Sequence, residues 1–272
     1  MRHDEMRPWI LAVALIALSI PAAFAASEKR PAPVDAFDGA PAEFIRFSGA
    51  ELTRGFVALA FGSDLRIGAA PRGIRRFNHP IRVAVIGSGS VDRNAAMAKV
   101  VEDYARSVPG LRLSLAAAAP ADIELRLIDE KDFKSALQEA FGVRITKAFV
   151  ARTDPQCMTS VESSAEGEIL HTVSFIIVDK GERVFYDCAY HEMLHAFGLS
   201  NHDQTNPWTT LNQKRIVGYL TVYDRALLTL LYDPRLTPGM TAAQARAALP
   251  AVIQSLARAA PVQAPQKPPK AR

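Results

Sequence analysis

The chain has 272 residues, 49% of them hydrophobic, and a formal net charge of +4. Its basic residues form no dense Lys/Arg block in the body, so nucleic-acid binding gains no support. Only two cysteines, Cys157 and Cys188, are present, and no segment beyond the N-terminus is apolar enough to span a membrane.

The first 25 residues read as a signal peptide. Arg2 and Arg7 precede an apolar run over residues 10–19, Pro21 breaks it, and Ala23-Phe24-Ala25 supplies the small-x-small cleavage pattern. The run is shorter than the roughly 20 residues a spanning helix needs, which leaves an uncleaved anchor as the alternative. Cleavage would leave the charge at +4, because two basic and two acidic residues go together. Residues 26–42 read as a flexible N-terminus and residues 260–272 as a disordered Pro/Lys tail. Residues 43–259 are left as one domain of comfortable size. The expected location is the periplasm or the cell exterior, with no membrane span after signal removal.

Helix and strand periods alternate along the domain. Residues 51–61 carry Leu52, Phe56, Leu59 and Ala60 at helical spacing. Residues 81–86 form a β-branched run. Asp92 is placed to cap a helix through Tyr104 that Pro109-Gly110 ends. Residues 123–128 alternate like a strand, 132–141 form a short helix stopped by Gly142, and 169–178 are the strongest strand. Asp179-Lys180-Gly181 turns the chain into a helix over residues 183–197, and further helices cover 221–232 and 241–259. The pattern predicts an α+β single domain with a mixed sheet and C-terminal helices.

The chemically informative run is His191-Glu192-Met193-Leu194-His195. Imidazoles four residues apart leave one helix face a turn apart, so two nitrogens can share one zinc ion. Glu192 is angled towards a water and not towards the ion, as a general base requires. Val184, Cys188, His191 and His195 share one stripe that is expected to face inward. Gly198 can bend the chain sharply after the helix. A third ligand then comes from beyond the bend, with His202 first, Asp203 second and Asn201 third. Cys188, one turn before His191, offers a thiolate, but in an oxidising compartment a bridge to Cys157 is the favoured use.

The run from His191 to Leu199 resembles the metzincin zinc proteases. Those proteins place a His or Asp three residues after the Gly, where this chain has Asn201, and carry a methionine turn where it has Trp208-Thr209-Thr210-Leu211-Asn212. Leu211 is the candidate apolar floor. Residues 221–240, with Cys188-x-x-x-Glu192 and Gly198-Leu199, resemble a bacterial envelope family, domain of unknown function 2927, over roughly residues 45–245. That resemblance implies a zincin fold in which metal is retained by some members.

Within residues 221–240, Thr221 and Asp224 are spaced like a capping-box pair. Gly87-Ser88-Gly89-Ser90 reads as an ordinary turn, since Asp92 at the following helix start would repel phosphate. His79 and His171 read as structural, with His171 a candidate to line the cleft. The resulting expectation is a zinc-dependent hydrolase, a peptidase with Glu192 as base and His191, His195 and His202 as ligands. The alternative is an inactive zincin-like scaffold that binds an envelope partner.

Overall fold

Among the described residues, five strands build one mixed sheet in the order β2-β1-β3-β5-β4. They are β1 (Ile81–Gly87), β2 (Leu113–Ala116), β3 (Ile123–Ile128), β4 (Cys157–Ser163) and β5 (Ile169–Ile177). The computed structural model describes residues 47–62, 71–143, 146–147, 150 and 155–259. The segments read above as a signal peptide (1–25), an N-terminal stretch (26–42) and a Pro/Lys tail (260–272) lie outside the described residues.

β2, β1, β3 and β5 run parallel, and β4 closes one edge antiparallel to β5. The centre is β-branched and apolar: Val83 pairs with Ile123, and Leu127 with Ile176. Parallel strands covered on both faces need such runs. Alternation along β3 and β5 divides the core. Leu125, Leu127 and Ile176 face the larger cluster, whereas Ile128, Phe175 and Ile177 face a smaller one with Phe133 and Leu137 of α3 (Glu130–Phe141).

The larger cluster lies under α2 (Asn94–Ser107) and α4 (Glu182–Ala196), with α1 (Gly49–Phe61), α5 (Val222–Leu231) and α6 (Ala242–Ala259) completing that layer. α1 begins with a full capping box, Ser48 with Glu51, and packs on α5 and α6. α4 carries Phe185, Ala189, Tyr190, Met193, Leu194 and Ala196, all 0% exposed, against β4, β5 and α2. Each large apolar side chain so buried contributes about 1.5–3 kcal/mol. Tyr104 of α2 donates from its hydroxyl to the Tyr190 carbonyl at 2.7 Å, which locks α2 to α4.

The fold is thus a single α+β domain with a mixed sheet, as expected. Two strands are additions to the sequence reading, β2 and β4, both at sheet edges. Asp92 receives the Asn94 N–H but Arg93 is the N-cap of α2, so the acid acts one residue upstream of the cap. Among the described residues no helix is long and apolar enough to cross a membrane.

Candidate metal centre

α4 starts at Gly181 (φ 88°) and ends in a Schellman turn. The Gly198 N–H returns to the His195 carbonyl at 3.0 Å and the Leu199 N–H to Leu194 at 3.1 Å. Gly198 has φ +115°, and a Cβ there would stand 2.0 Å from the Arg75 carbonyl oxygen, so only glycine fits. The turn brings the Leu199 carbonyl back over the helix end, 2.6 Å from His195 Nδ1. Residues 200–201 then cap α1: the Ser200 and Asn201 N–H groups both donate to Leu59, and the Asn201 amide donates to Ala58 at 3.0 Å. With Asn201 held against α1, the next residue, His202, reaches the other two rings.

The Nε2 atoms of His191, His195 and His202 form a triangle with sides of 3.0, 3.1 and 3.1 Å. All three rings are half-buried. His191 Nδ1 meets the Thr210 carbonyl at 3.1 Å, as His195 Nδ1 meets Leu199. A carbonyl only accepts, so these two rings carry their protons on Nδ1 and turn Nε2 lone pairs towards one another. Burial, and next the neighbouring His202, push His195 down to about 3, which keeps its ring neutral. Converging neutral lone pairs want a shared cation. Zinc–nitrogen bonds of about 2.0–2.1 Å from one ion leave neighbouring nitrogens about 3 Å apart. The three histidines can therefore hold a metal ion.

The other candidate ligands are engaged elsewhere. Asp203 accepts from the Thr205 N–H, the Thr205 hydroxyl and the Asn206 N–H, at 3.0, 2.6 and 3.2 Å, and so shapes its own loop. Cys188 is bonded to Cys157 with Cα atoms 5.8 Å apart, tying the start of β4 to α4 one turn before His191. The stripe Val184, Cys188, His191 and His195 lies beside the most buried face of the helix, not at its centre, because Phe185, Ala189 and Met193 take that place.

Glu192 is 3% exposed, and its Oε2 is buried with no hydrogen-bond partner among the described residues. Burial first, and then the charge of Asp187, raise its carboxyl to about 8, against the opposing hydrogen bond from Thr159. Thr159 is the residue that sequence reasoning missed. On β4 it pairs with the Ser174 hydroxyl at 2.6 Å and donates to the Glu192 carbonyl at 3.3 Å. Its one signal was its position two residues after Cys157, which the bridge draws alongside α4. Asp187 accepts the Val217 N–H at 2.6 Å and is itself raised to about 6 by burial. Leu211, 0% exposed, sits in the 3-10 helix Thr210–Asn212 whose first carbonyl holds His191.

His171 does not line this site. It alternates onto the α3 side of the sheet, where its Nε2 lies 3.7 Å from Glu124. His79 bonds its neighbour's carbonyl, that of Pro80. In the 87–90 turn, the Ser90 N–H and hydroxyl both donate to Asp129 and the Gly89 N–H donates to Leu127, so these donors serve the fold.

Fold and cluster together define an α+β domain built around a three-histidine group able to hold a metal ion. The chain belongs to the family described as protein of unknown function (DUF2927), whose model matches residues 49–251. No curated protein matches the chain.

Proposed function

We infer that this protein is a zinc-dependent hydrolase of the zincin type, a peptidase acting in the periplasm or outside the cell. The observation that carries the reading is three Nε2 atoms 3.0–3.1 Å apart beside a buried, half-partnered Glu192 carboxyl. Zinc bound by His191, His195 and His202 would supply a Lewis acid and lower the pKa of a water from about 15.7 to about 7.

The side chain of Glu192 does the proton handling. Burial raises its carboxyl above the ordinary carboxylate range, so it can hold the proton that it takes. Glu192 takes the proton as water attacks the scissile carbonyl and gives it to the leaving amine nitrogen. Thr159 and the Cys157–Cys188 bridge hold β4 against α4, which fixes the wall beside Glu192. Among the described residues β4 pairs only with β5, which makes its other edge the side where an extended peptide would add. An oxidised cysteine pair suits an extracytoplasmic protein.

The scaffold alternative drew on Asn201 in a ligand slot and on the missing methionine. With His202 beside the other rings and Leu211 fully buried, both features weigh less. The test is Glu192→Gln in zinc-loaded protein, assayed on an unstructured protein substrate. Peptide-bond cleavage falls at least a hundredfold while bound zinc is unchanged. Wild-type turnover by that variant would refute the assignment of Glu192, and no turnover by the zinc-loaded wild type would refute the hydrolase.

A further inference from the structure

His191 is held by more than one carbonyl oxygen. The Thr210 carbonyl that accepts from its Nδ1 at 3.1 Å belongs to the peptide group shared with Leu211. At the other end of that group, the Leu211 N–H donates to the Thr209 hydroxyl oxygen at 3.1 Å. The Thr209 hydroxyl in turn donates to Asp224 Oδ1 at 2.5 Å, and the Thr210 N–H donates to Asp224 Oδ2 at 2.9 Å. Every donor along this path points towards the carboxylate. Thr209 and Asp224 are 0% exposed and Thr210 is 1% exposed, so water does not interrupt it.

The residue types explain the path. Thr221 caps α5 by accepting the Asp224 N–H at 2.9 Å, as its spacing predicted. The Asp224 carboxylate reaches beyond this cap: besides the Thr221 hydroxyl, its two oxygens accept from the Thr209 hydroxyl and the Thr210 N–H. A carboxylate sealed in an apolar layer is costly unless its charge is used or neutralised. In a chain of hydrogen bonds aligned in one sense, each bond polarises the next. The negative charge makes Thr209 a better acceptor, and the amide it binds a more negative carbonyl. His191 Nδ1–H then donates more strongly, and its Nε2 becomes more basic. Metal-binding histidines commonly achieve this with a carboxylate in direct contact. Here a hydroxyl and a peptide group stand between the two.

We propose that Asp224 is the remote carboxylate of a relay through Thr209 and the Thr210–Leu211 peptide that fixes the tautomer and raises the basicity of His191. It is a positioning residue and touches no reacting atom. The proposal rests on the three histidines being a metal site, and the experiment separates the two ideas. Four variants are compared with wild type: Asp224→Asn, Thr209→Val, the double variant, and Thr209→Ser, which keeps the hydroxyl. Zinc affinity is measured by chelator competition, and the ring ¹⁵N shifts of His191 are measured in metal-free protein.

Asp224→Asn and Thr209→Val each weaken zinc binding roughly tenfold, at the lower end of what such outer contacts give. The double variant is no worse than either single one, because one path is cut twice. Thr209→Ser behaves as wild type. In the metal-free protein, His191 shifts away from the pure Nδ1–H tautomer in the first two variants only. Additive losses, or unchanged affinity in both single variants, overturn the relay. If wild type takes up no zinc, the metal reading falls and the ¹⁵N shifts still decide: unaltered shifts in Asp224→Asn and Thr209→Val overturn the relay too.

Discussion

Replacing Gly198 with alanine is the sharpest perturbation of the turn that assembles the histidines. The new Cβ would lie 2.0 Å from the Arg75 carbonyl oxygen, and that oxygen is backbone, so it cannot swing aside. Relief requires moving one chain segment away from the other, an overpacking that costs about 1–3 kcal/mol. Holding alanine at positive φ adds about 1–2 kcal/mol. Straining the two Schellman hydrogen bonds, at 3.0 and 3.1 Å, takes up to about 1 kcal/mol each. Together these terms come to about 2–7 kcal/mol, about 4–5 kcal/mol at their centres, read by urea unfolding of the metal-free protein. The Leu199 carbonyl is displaced from His195, so zinc affinity falls as well, roughly 10–100-fold. Gly142→Ala is the control: its φ is +81° but no atom of the described residues lies within 4 Å of the added Cβ, so it costs only about 1 kcal/mol. If Gly198→Ala unfolds within about 1 kcal/mol of Gly142→Ala, the steric account of the turn is wrong.

Three further outcomes are expected. The Cys157→Ser/Cys188→Ser double variant loses about 3–4 kcal/mol by urea unfolding, the value for a bridge spanning 31 positions, and dithiothreitol brings wild type to the same stability. His202→Ala abolishes zinc uptake, whereas Asp203→Asn leaves it within a few-fold and lowers stability by about 1 kcal/mol; the reverse ranking would make Asp203 the ligand. Burial lifts Asp224 from 3.8 to about 6, so well below pH 3.8 it is protonated whether folded or not, and above pH 6 the folded state bears a buried charge. Stability of metal-free wild type, measured relative to Asp224→Asn, therefore falls by roughly 3 kcal/mol as pH rises from 3.5 to 7. A flat difference across that range contradicts the buried-charge assignment.

The sequence was most legible where the reading depended on one element. The periodicity of residues 123–128 matched the strand to the residue, and α4 and α5 fell within one residue of expectation at each end. Two histidines four apart needed only helical geometry to be paired. β4 was illegible because Cys157-Met158-Thr159-Ser160-Val161-Glu162-Ser163 is polar and half-buried at an edge, where no apolar alternation is required. The choice of His202 over Asn201 and Asp203 was open because it is settled at long range, by carbonyls of Ala58 and Leu59 that anchor the loop. Asp224 was read as a local cap partner. Its carboxylate also meets a loop more than ten residues upstream, a pairing that spacing within one helix does not encode.

The central claim is that, among the described residues, the imidazole nitrogens of His191, His195 and His202 are the side-chain ligands that grip one divalent ion. Metal analysis of mature protein, dialysed from zinc-replete into zinc-free buffer, tests it directly. One zinc per chain is expected in wild type, with near-zero content in His191→Ala, His195→Ala and His202→Ala alike. A folded wild-type protein that emerges without zinc, or a His202→Ala variant that keeps a full equivalent, would contradict the account.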